Sequence, residues 1–231
     1  MSELFLIRHG QASFGADNYD QLSELGYQQS RLLGAYFAER SIIFDAQVAG
    51  AMQRHHQTLD GINEGMGGNV TKPYLSHVGF NEYDFKAMMR SYSKRYPSDT
   101  LVKQVSDTPG DKKVYYRLLR QVLTLWSEDG LDDVPETWPQ FCQRVQDARR
   151  VVQDMAKTYR RILVASSGGA ISLFVGTVLN LVPEKIIELN LQMRNTGISH
   201  FYFNPEKISL TSFNGIAHLD QPTSSQLITY G

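Results

Sequence analysis

The chain has 231 residues, and its 23 Lys and Arg against 24 Asp and Glu leave a formal net charge of −1. That near-cancellation gives no diffuse positive field for nucleic acid or an anionic membrane surface, so any positive charge used in binding must be local. Cys142 is the only cysteine, which excludes an internal disulfide and fits a reducing cytoplasm, and no apolar run approaches the roughly 20 residues that a bilayer span requires.

Met1-Ser2-Glu3 carries no basic segment, so no signal peptide is expected. Residues 4–7, Leu-Phe-Leu-Ile, read as a buried strand that stops at Arg8-His9-Gly10. Glycine lets backbone approach a ligand closely. An arginine can grip a phosphate through two parallel hydrogen bonds, and a histidine nitrogen can attack phosphorus without a metal. Residues 11–21 are polar and read as flexible. Ser23 is the expected N-cap of a helix running to about Arg40, with Glu24 favourably placed on the dipole. Leu25, Leu32, Leu33, Tyr36 and Phe37 give that helix its apolar stripe. A short strand over 44–48 and a helix over 52–64 follow, ended by Gly65-Met66-Gly67-Gly68. Residues 73–79 read as extended chain or loop.

The middle, residues 85–139, is rich in Tyr, Lys, Arg, Asp and Met. It has helical patches at 86–96 and 112–126 and no strong strand. It reads as an insertion packed over one side of the core, not as an independent domain. A long helix over 138–159 leads to residues 161–165, the clearest buried strand in the chain, and then to Ser166-Ser167-Gly168-Gly169. Helices over 170–179 and 183–189 and strands over 198–203 and 208–213 complete the pattern. Alternating strands and helices predict a three-layer α/β sandwich with a mainly parallel central sheet. In such sheets the ligand site lies beyond the carboxyl ends of the strands. Two strands end in unusual sequences, one in Arg8-His9-Gly10 and one in the Ser-Ser-Gly-Gly run. The second opens a helix, whose N-terminus favours an anion.

Taken together, these segments resemble the histidine phosphatase superfamily, in its phosphoglycerate mutase-like form. Leu6-Ile7-Arg8-His9-Gly10-Gln11 resembles the signature strand and nucleophile loop, and Leu22-Ser23-Glu24-Leu25-Gly26-Tyr27-Gln28-Gln29 the opening of the first helix. Met52-Gln53-Arg54-His55-His56-Gln57-Thr58 is similar to the helix bearing a second phosphate arginine. Phe80-Asn81-Glu82-Tyr83-Asp84 is similar to the proton-donor segment, and Val164-Ala165-Ser166-Ser167-Gly168-Gly169 to the last motif. The resemblance implies one domain over residues 1–231, with the insertion at about 85–139 roofing the pocket and setting specificity. It implies that His9 attacks phosphorus and becomes phosphohistidine, its other ring nitrogen donating to a backbone carbonyl. Arg8 and Arg54 would clamp the phosphoryl oxygens. Glu82 would protonate the leaving oxygen and then activate water. Gly10, Ser13, Ser167 and Gly168 would complete the phosphate site. A small phosphorylated metabolite is the implied substrate, with a phosphoprotein as the other option. No cofactor, metal, nucleic acid or membrane partner is implied, and the expected location is cytoplasmic.

Two departures from the family pattern stand out. The family carries a second histidine where this chain has Ser167, which can donate a hydrogen bond but carries no charge. His200 and His218 are the candidates to compensate, although His200 reads as a plain strand residue and His218 as a structural loop residue. Mutase relatives carry an asparagine six positions after the nucleophile, where Gly15 stands here, and this weakens a mutase reading more than a phosphatase reading. His55 and His56 diverge on their helix and have no partner at i+4, so they read as surface or supporting residues and not as metal ligands. His77 reads as a loop histidine. Arg90, Lys94 and Arg95 offer positive charge in the insertion, mostly on a solvated face. The expected activity is phosphomonoester hydrolysis; a weakly catalytic phosphate-ligand sensor or scaffold, and a phosphoglycerate mutase, are the alternatives.

Overall fold

A strand with apolar residues on both faces must be covered on both faces, and residues 4–7 and 162–165 set the centre of the molecule accordingly. The computed structural model describes residues 1–13, 20–68, 74–108, 110–220 and 225–230. The strands are β1 (Ser2–Arg8), β2 (Ala46–Ala49), β3 (Leu75–Ser76), β4 (Arg161–Ser166), β5 (Ile198–Phe203) and β6 (Ile208–Gly215). The helices are α1 (Glu24–Glu39), α2 (Gln53–Gly65), α3 (Phe85–Arg95), α4 (Thr100–Asp107), α5 (Lys112–Ser127), α6 (Trp138–Met155), α7 (Gly168–Leu179) and α8 (Pro183–Leu191). The sheet order is β3-β2-β4-β1-β5-β6. β1, β2, β3 and β4 run parallel, whereas β5 runs against β1 and β6 against β5. The sheet is therefore mixed and mostly parallel, flanked by helices. Arg8 lies opposite Ser166 in register, so the two unusual strand ends are neighbours.

Strand alternation divides the core in two. Phe5, Ile7, Ala49, Leu163 and Ala165 face Leu33 and Phe37 of α1 and Leu59 and Ile62 of α2. Leu4, Leu6, Val48, Ile162 and Val164 face the other way, into a cluster with Val145 of α6, Ile171 of α7 and Ile187 of α8. Trp126 and Leu118 of α5 and Met88 of α3 belong to that same cluster. The middle of the chain thus shares a core with the sheet.

Local chemistry explains most element boundaries. Ser23 accepts from the Gly26 N–H at 3.1 Å and starts α1 as expected. Thr137 and Gln140 form a reciprocal capping box at α6. Asp99 caps α4, a helix not read from the sequence, by accepting from the N–H groups of Leu101 and Val102. Residues 75 and 76, read as loop or extended chain, pair in parallel with β2 as a two-residue edge strand. The long helix expected to reach 159 ends at Met155, and α7 begins at Gly168. Gly15 and its neighbours lie outside the described residues. Among the described residues no helix is long and apolar enough to cross a membrane.

One side chain ties the turn before Glu82 to α6. Arg144 holds both oxygens of Glu136, at 2.6 and 2.8 Å, and donates to the carbonyls of Val78 and Asn81 at 2.8 and 3.1 Å. Both partners of the ion pair are largely shielded from water, where charge-assisted bonds keep more of their strength. Arg144→Met is expected to lower unfolding stability by about 2 kcal/mol, read as a lower urea midpoint at unchanged slope.

Candidate active site

The site grows from the end of β1. The His9 N–H donates to the Ser166 carbonyl at 2.9 Å, which keeps the tip of β1 on β4. The Thr196 N–H donates to the Arg8 carbonyl at 3.1 Å, and Asn195 Nδ2 donates to the His9 carbonyl, also at 3.1 Å. The His9 ring is buried, with Nδ1 2.7 Å from the Gly10 carbonyl. A carbonyl can only accept, so Nδ1 carries the proton. Nε2 is left as a lone pair, and Arg54 Nε donates to it at 3.2 Å. Burial holds this imidazole well below the ordinary histidine pKa, and the charges of Arg54, Arg8 and His55 act in the same direction. His9 is therefore neutral, with its free nitrogen among cations.

α2 delivers Arg54. Met52, at the N-cap position, makes no capping bond through its side chain. Asp20 takes over from a distance: its carboxylate accepts from the Gln53 N–H at 2.9 Å and from Arg54 Nη1 at 2.8 Å. Arg54 Nη2 lies 3.4 Å from Ser167 Oγ. One helical turn on, Thr58 Oγ1 donates to the Arg54 carbonyl and accepts from the Gly10 N–H. Both backbone groups of Gly10 are thus engaged in holding the loop, its N–H by Thr58 and its carbonyl by His9. Arg8 reaches the Met193 carbonyl through Nη1 and passes beside Gly168.

Glu82 enters from the opposite side. Its Oε2 accepts from the Gly169 N–H at 3.2 Å, at the N-terminus of α7, and its Oε1 from the Tyr83 N–H at 3.3 Å. A Cβ on residue 169 would lie 2.3 Å from Glu82 Oε1 and equally close to the Tyr83 ring, so only glycine admits the carboxylate here. Burial raises the Glu82 pKa, opposed by the Gly169 N–H and the charges of Arg54 and Arg8. Arg8, His9, Arg54, Glu82 and Ser167 therefore share one site, joined through Arg54 and the start of α7.

Other expected residues fall elsewhere. The Ser13 N–H donates to the Gln21 carbonyl at 2.9 Å. His200 sits on β5 against Phe5 and Glu3, far from Ser167 in the sheet. His218 Nε2 lies 2.8 Å from Thr196 Oγ1, and burial pushes its pKa down to about 3. Neither histidine compensates for Ser167; His218 instead supports the loop that grips the β1 backbone. His77 caps the turn at 78–80 by accepting from the Gly79 N–H. Lys94 and Arg95 pair with Asp133 and Asp132 on the surface. The histidine that reaches Ser167 is His55, whose Nε2 lies 2.7 Å from Ser167 Oγ. Its signal in the sequence was its place directly after Arg54. Among the described residues no group of three or more His, Cys, Asp or Glu could hold a metal ion.

Residues 4–215 match the family model of the histidine phosphatase superfamily, branch 1. The chain is 27% identical over 209 residues to a 2,3-bisphosphoglycerate-dependent phosphoglycerate mutase of Rhizobium etli (strain CIAT 652), covering 86% of this chain and 88% of the mutase. Its fold is similar to that of a mutant phosphoserine phosphatase from Entamoeba histolytica in complex with phosphoserine. The TM-score is 0.65, at 20% identity, covering 95% of this chain and 100% of that one. It is also similar to the alpha-ribazole phosphatase of Shigella flexneri, with a TM-score of 0.65 at 17% identity, covering 93% and 97%.

The three buried histidines set an acid limit on stability. His9, His55 and His218 all have folded pKa values below the ordinary 6.5. As pH falls through about 6.5 the unfolded chain takes up protons that the folded protein refuses, so stability drops with falling pH. Glu82, shifted upward, acts in the opposite sense but only near the carboxylate range. Urea midpoints measured between pH 7.5 and 5 are expected to fall steadily, and His218→Asn is expected to flatten the slope.

Proposed function

Because the chain belongs to the histidine phosphatase superfamily, branch 1, we propose that it is a phosphomonoesterase working through a phosphohistidine on His9. The observation that carries this reading is the neutral imidazole of His9, its Nε2 lone pair beside Arg54 and its Nδ1–H held by Gly10. Nε2 attacks phosphorus and the bond from phosphorus to the ester oxygen breaks. Arg8 and Arg54 balance the charge on the phosphoryl oxygens, and the Arg54 Nε–H moves from His9 to one of those oxygens as the ester arrives. Glu82, whose raised pKa favours the protonated form, donates to the leaving oxygen. As a carboxylate it then takes a proton from water, which attacks the phosphohistidine and releases phosphate. Two guanidinium groups supply the positive charge and the imidazole supplies the nucleophile, so this scheme requires no metal.

The substrate class is a small phosphorylated metabolite, a phosphoprotein being the larger alternative. The start of α7, where the Gly169 N–H meets the Glu82 carboxylate, supports an anionic ligand there, and the insertion at about 85–139 would roof this side of a single domain. Tyr83, just before the insertion, lies tilted against Trp126 within it and receives a hydrogen bond from Asn190. The lone Cys142 suits action in a reducing cytoplasm. Mutase chemistry is the second reading, favoured by the Rhizobium relative; a coupled mutase assay with 3-phosphoglycerate discriminates the two.

With p-nitrophenyl phosphate as substrate, His9→Ala is expected to abolish turnover, and the wild-type protein to yield an acid-labile, base-stable phosphoryl label. Full activity in His9→Ala would remove the reading. Glu82 must be protonated to act as the acid, so kcat/KM is expected to fall as pH rises through its raised pKa. Glu82→Gln is expected to abolish that limb and to lower kcat/KM by about 10²–10⁴-fold, as measured by a pH–rate profile.

A further inference from the structure

Ser167 holds the N-cap position of α7, yet its side chain makes no capping bond. A serine there ordinarily turns its oxygen onto an N–H of the first helical turn. Here the fully buried hydroxyl points away from the helix, to His55 Nε2 at 2.7 Å and to Arg54 Nη2 at 3.4 Å. His55 is fully buried as well, its ring centre 5.7 Å from that of His9. The backbone is shaped around this ring: a Cβ on residue 50 would lie 2.1 Å from His55 Nδ1, so glycine at position 50 makes the room it fills. The fold thus buries a polar ring, at real desolvation cost, whose side-chain hydrogen bond goes to a residue facing the phosphoryl site.

We infer that His55 is a positioning residue for the proposed reaction, acting through Ser167, whose hydroxyl contacts the phosphoryl group gathered by His9 and Arg54. The inference rests on the phosphatase reading above. The distances support it. Arg54 Nε is 3.2 Å from His9 Nε2 and Arg54 Nη2 is 3.4 Å from Ser167 Oγ, so a group attacked at Nε2 and gripped by Arg54 lies within reach of that hydroxyl. A hydroxyl has one proton and rotates to suit its surroundings. With the His55 proton on Nε2, the tautomer this role requires, that nitrogen donates to Oγ and the Ser167 proton is left free to point at a phosphoryl oxygen. Without His55 the hydroxyl turns to other acceptors, and the donor is lost at the moment charge moves onto the oxygens.

A steady-state cycle with p-nitrophenyl phosphate tests this, using His55→Phe, His55→Gln, Ser167→Ala and the double variant His55→Phe/Ser167→Ala. His55→Phe keeps the ring's bulk and removes its nitrogens; His55→Gln returns an amide N–H near the Nε2 position. His55→Phe and Ser167→Ala are each expected to lower kcat by about 10- to 100-fold, towards the lower end for loss of one oxyanion donor, with KM nearly unchanged. The double variant should be no slower than Ser167→Ala alone, because both remove one interaction. His55→Gln should restore most of kcat, at a thermal midpoint like that of His55→Phe. Wild-type kcat in His55→Phe, multiplicative losses in the double variant, or no rescue by glutamine would each overturn the inference. If His55→Phe does not fold, His55→Asn, whose shorter amide stops short of Oγ, takes its place in the cycle. His9→Ala run alongside separates the two levels. Turnover surviving that change removes the phosphatase reading, whereas its loss together with an inert His55 removes only the positioning role.

Discussion

The site depends on a ring held neutral by its surroundings. His9 is packed away from water between Arg54 and Arg8, so protonation would place a third cation in a poorly solvated space. The Gly10 carbonyl holds the hydrogen on Nδ1, and the other nitrogen is left with a lone pair that only a donor or an electrophile can satisfy. In the unliganded site Arg54 supplies the donor. Much of the surrounding structure preserves this arrangement: Thr58 and Asn195 fix the loop on either side of the ring, and Thr196, with His218 behind it, fixes the strand end.

The architecture supplies what a loop alone cannot. β1 and β4 are adjacent and in register, which puts Arg8 beside Ser166 and brings the start of α7 to the nucleophile loop. Glu82 has no regular element of its own, so its position comes from contacts at both ends. Arg144 grips the turn before it, and the N–H of Gly169 meets its carboxylate. The same burial lowers the affinity of His9 for a proton and raises that of Glu82. One environment thus separates the two groups into a base and an acid.

Much of the fold was legible because its signals were local. Residues 4–7 and 161–165 are short apolar runs that could only be covered strands, and Ser23 announced its helix with a recognisable cap. The two-residue strand β3 carried no such signal, since its pairing depends on where β2 lies. α4 was hidden in a charged stretch whose cap, Asp99, looked like one more surface carboxylate. In the site, Arg8 and His9 were legible from the strand that ends in them, whereas His55 was not. Its inward direction depends on which face of α2 is buried, the one that also carries Thr58, Leu59 and Ile62, and the helix has polar residues on both sides of that face. Neither His200 nor His218 stands near Ser167. Strand alternation sends the first to Phe5, and the second is occupied with Thr196. The ring that does reach Ser167 is His55, beside Arg54, in space left by Gly50.

The core formed by Leu4, Leu6, Ile162 and Val164 is continuous with Trp126, Leu118 and Met88 of the intervening helices. Parting these helices from the sheet would expose close-packed aromatic surface to solvent, so they are bound into the same cooperative unit. Substitutions at Met88 of α3 or at Leu118 and Trp126 of α5 therefore reach the core of the sheet as well as their own helices.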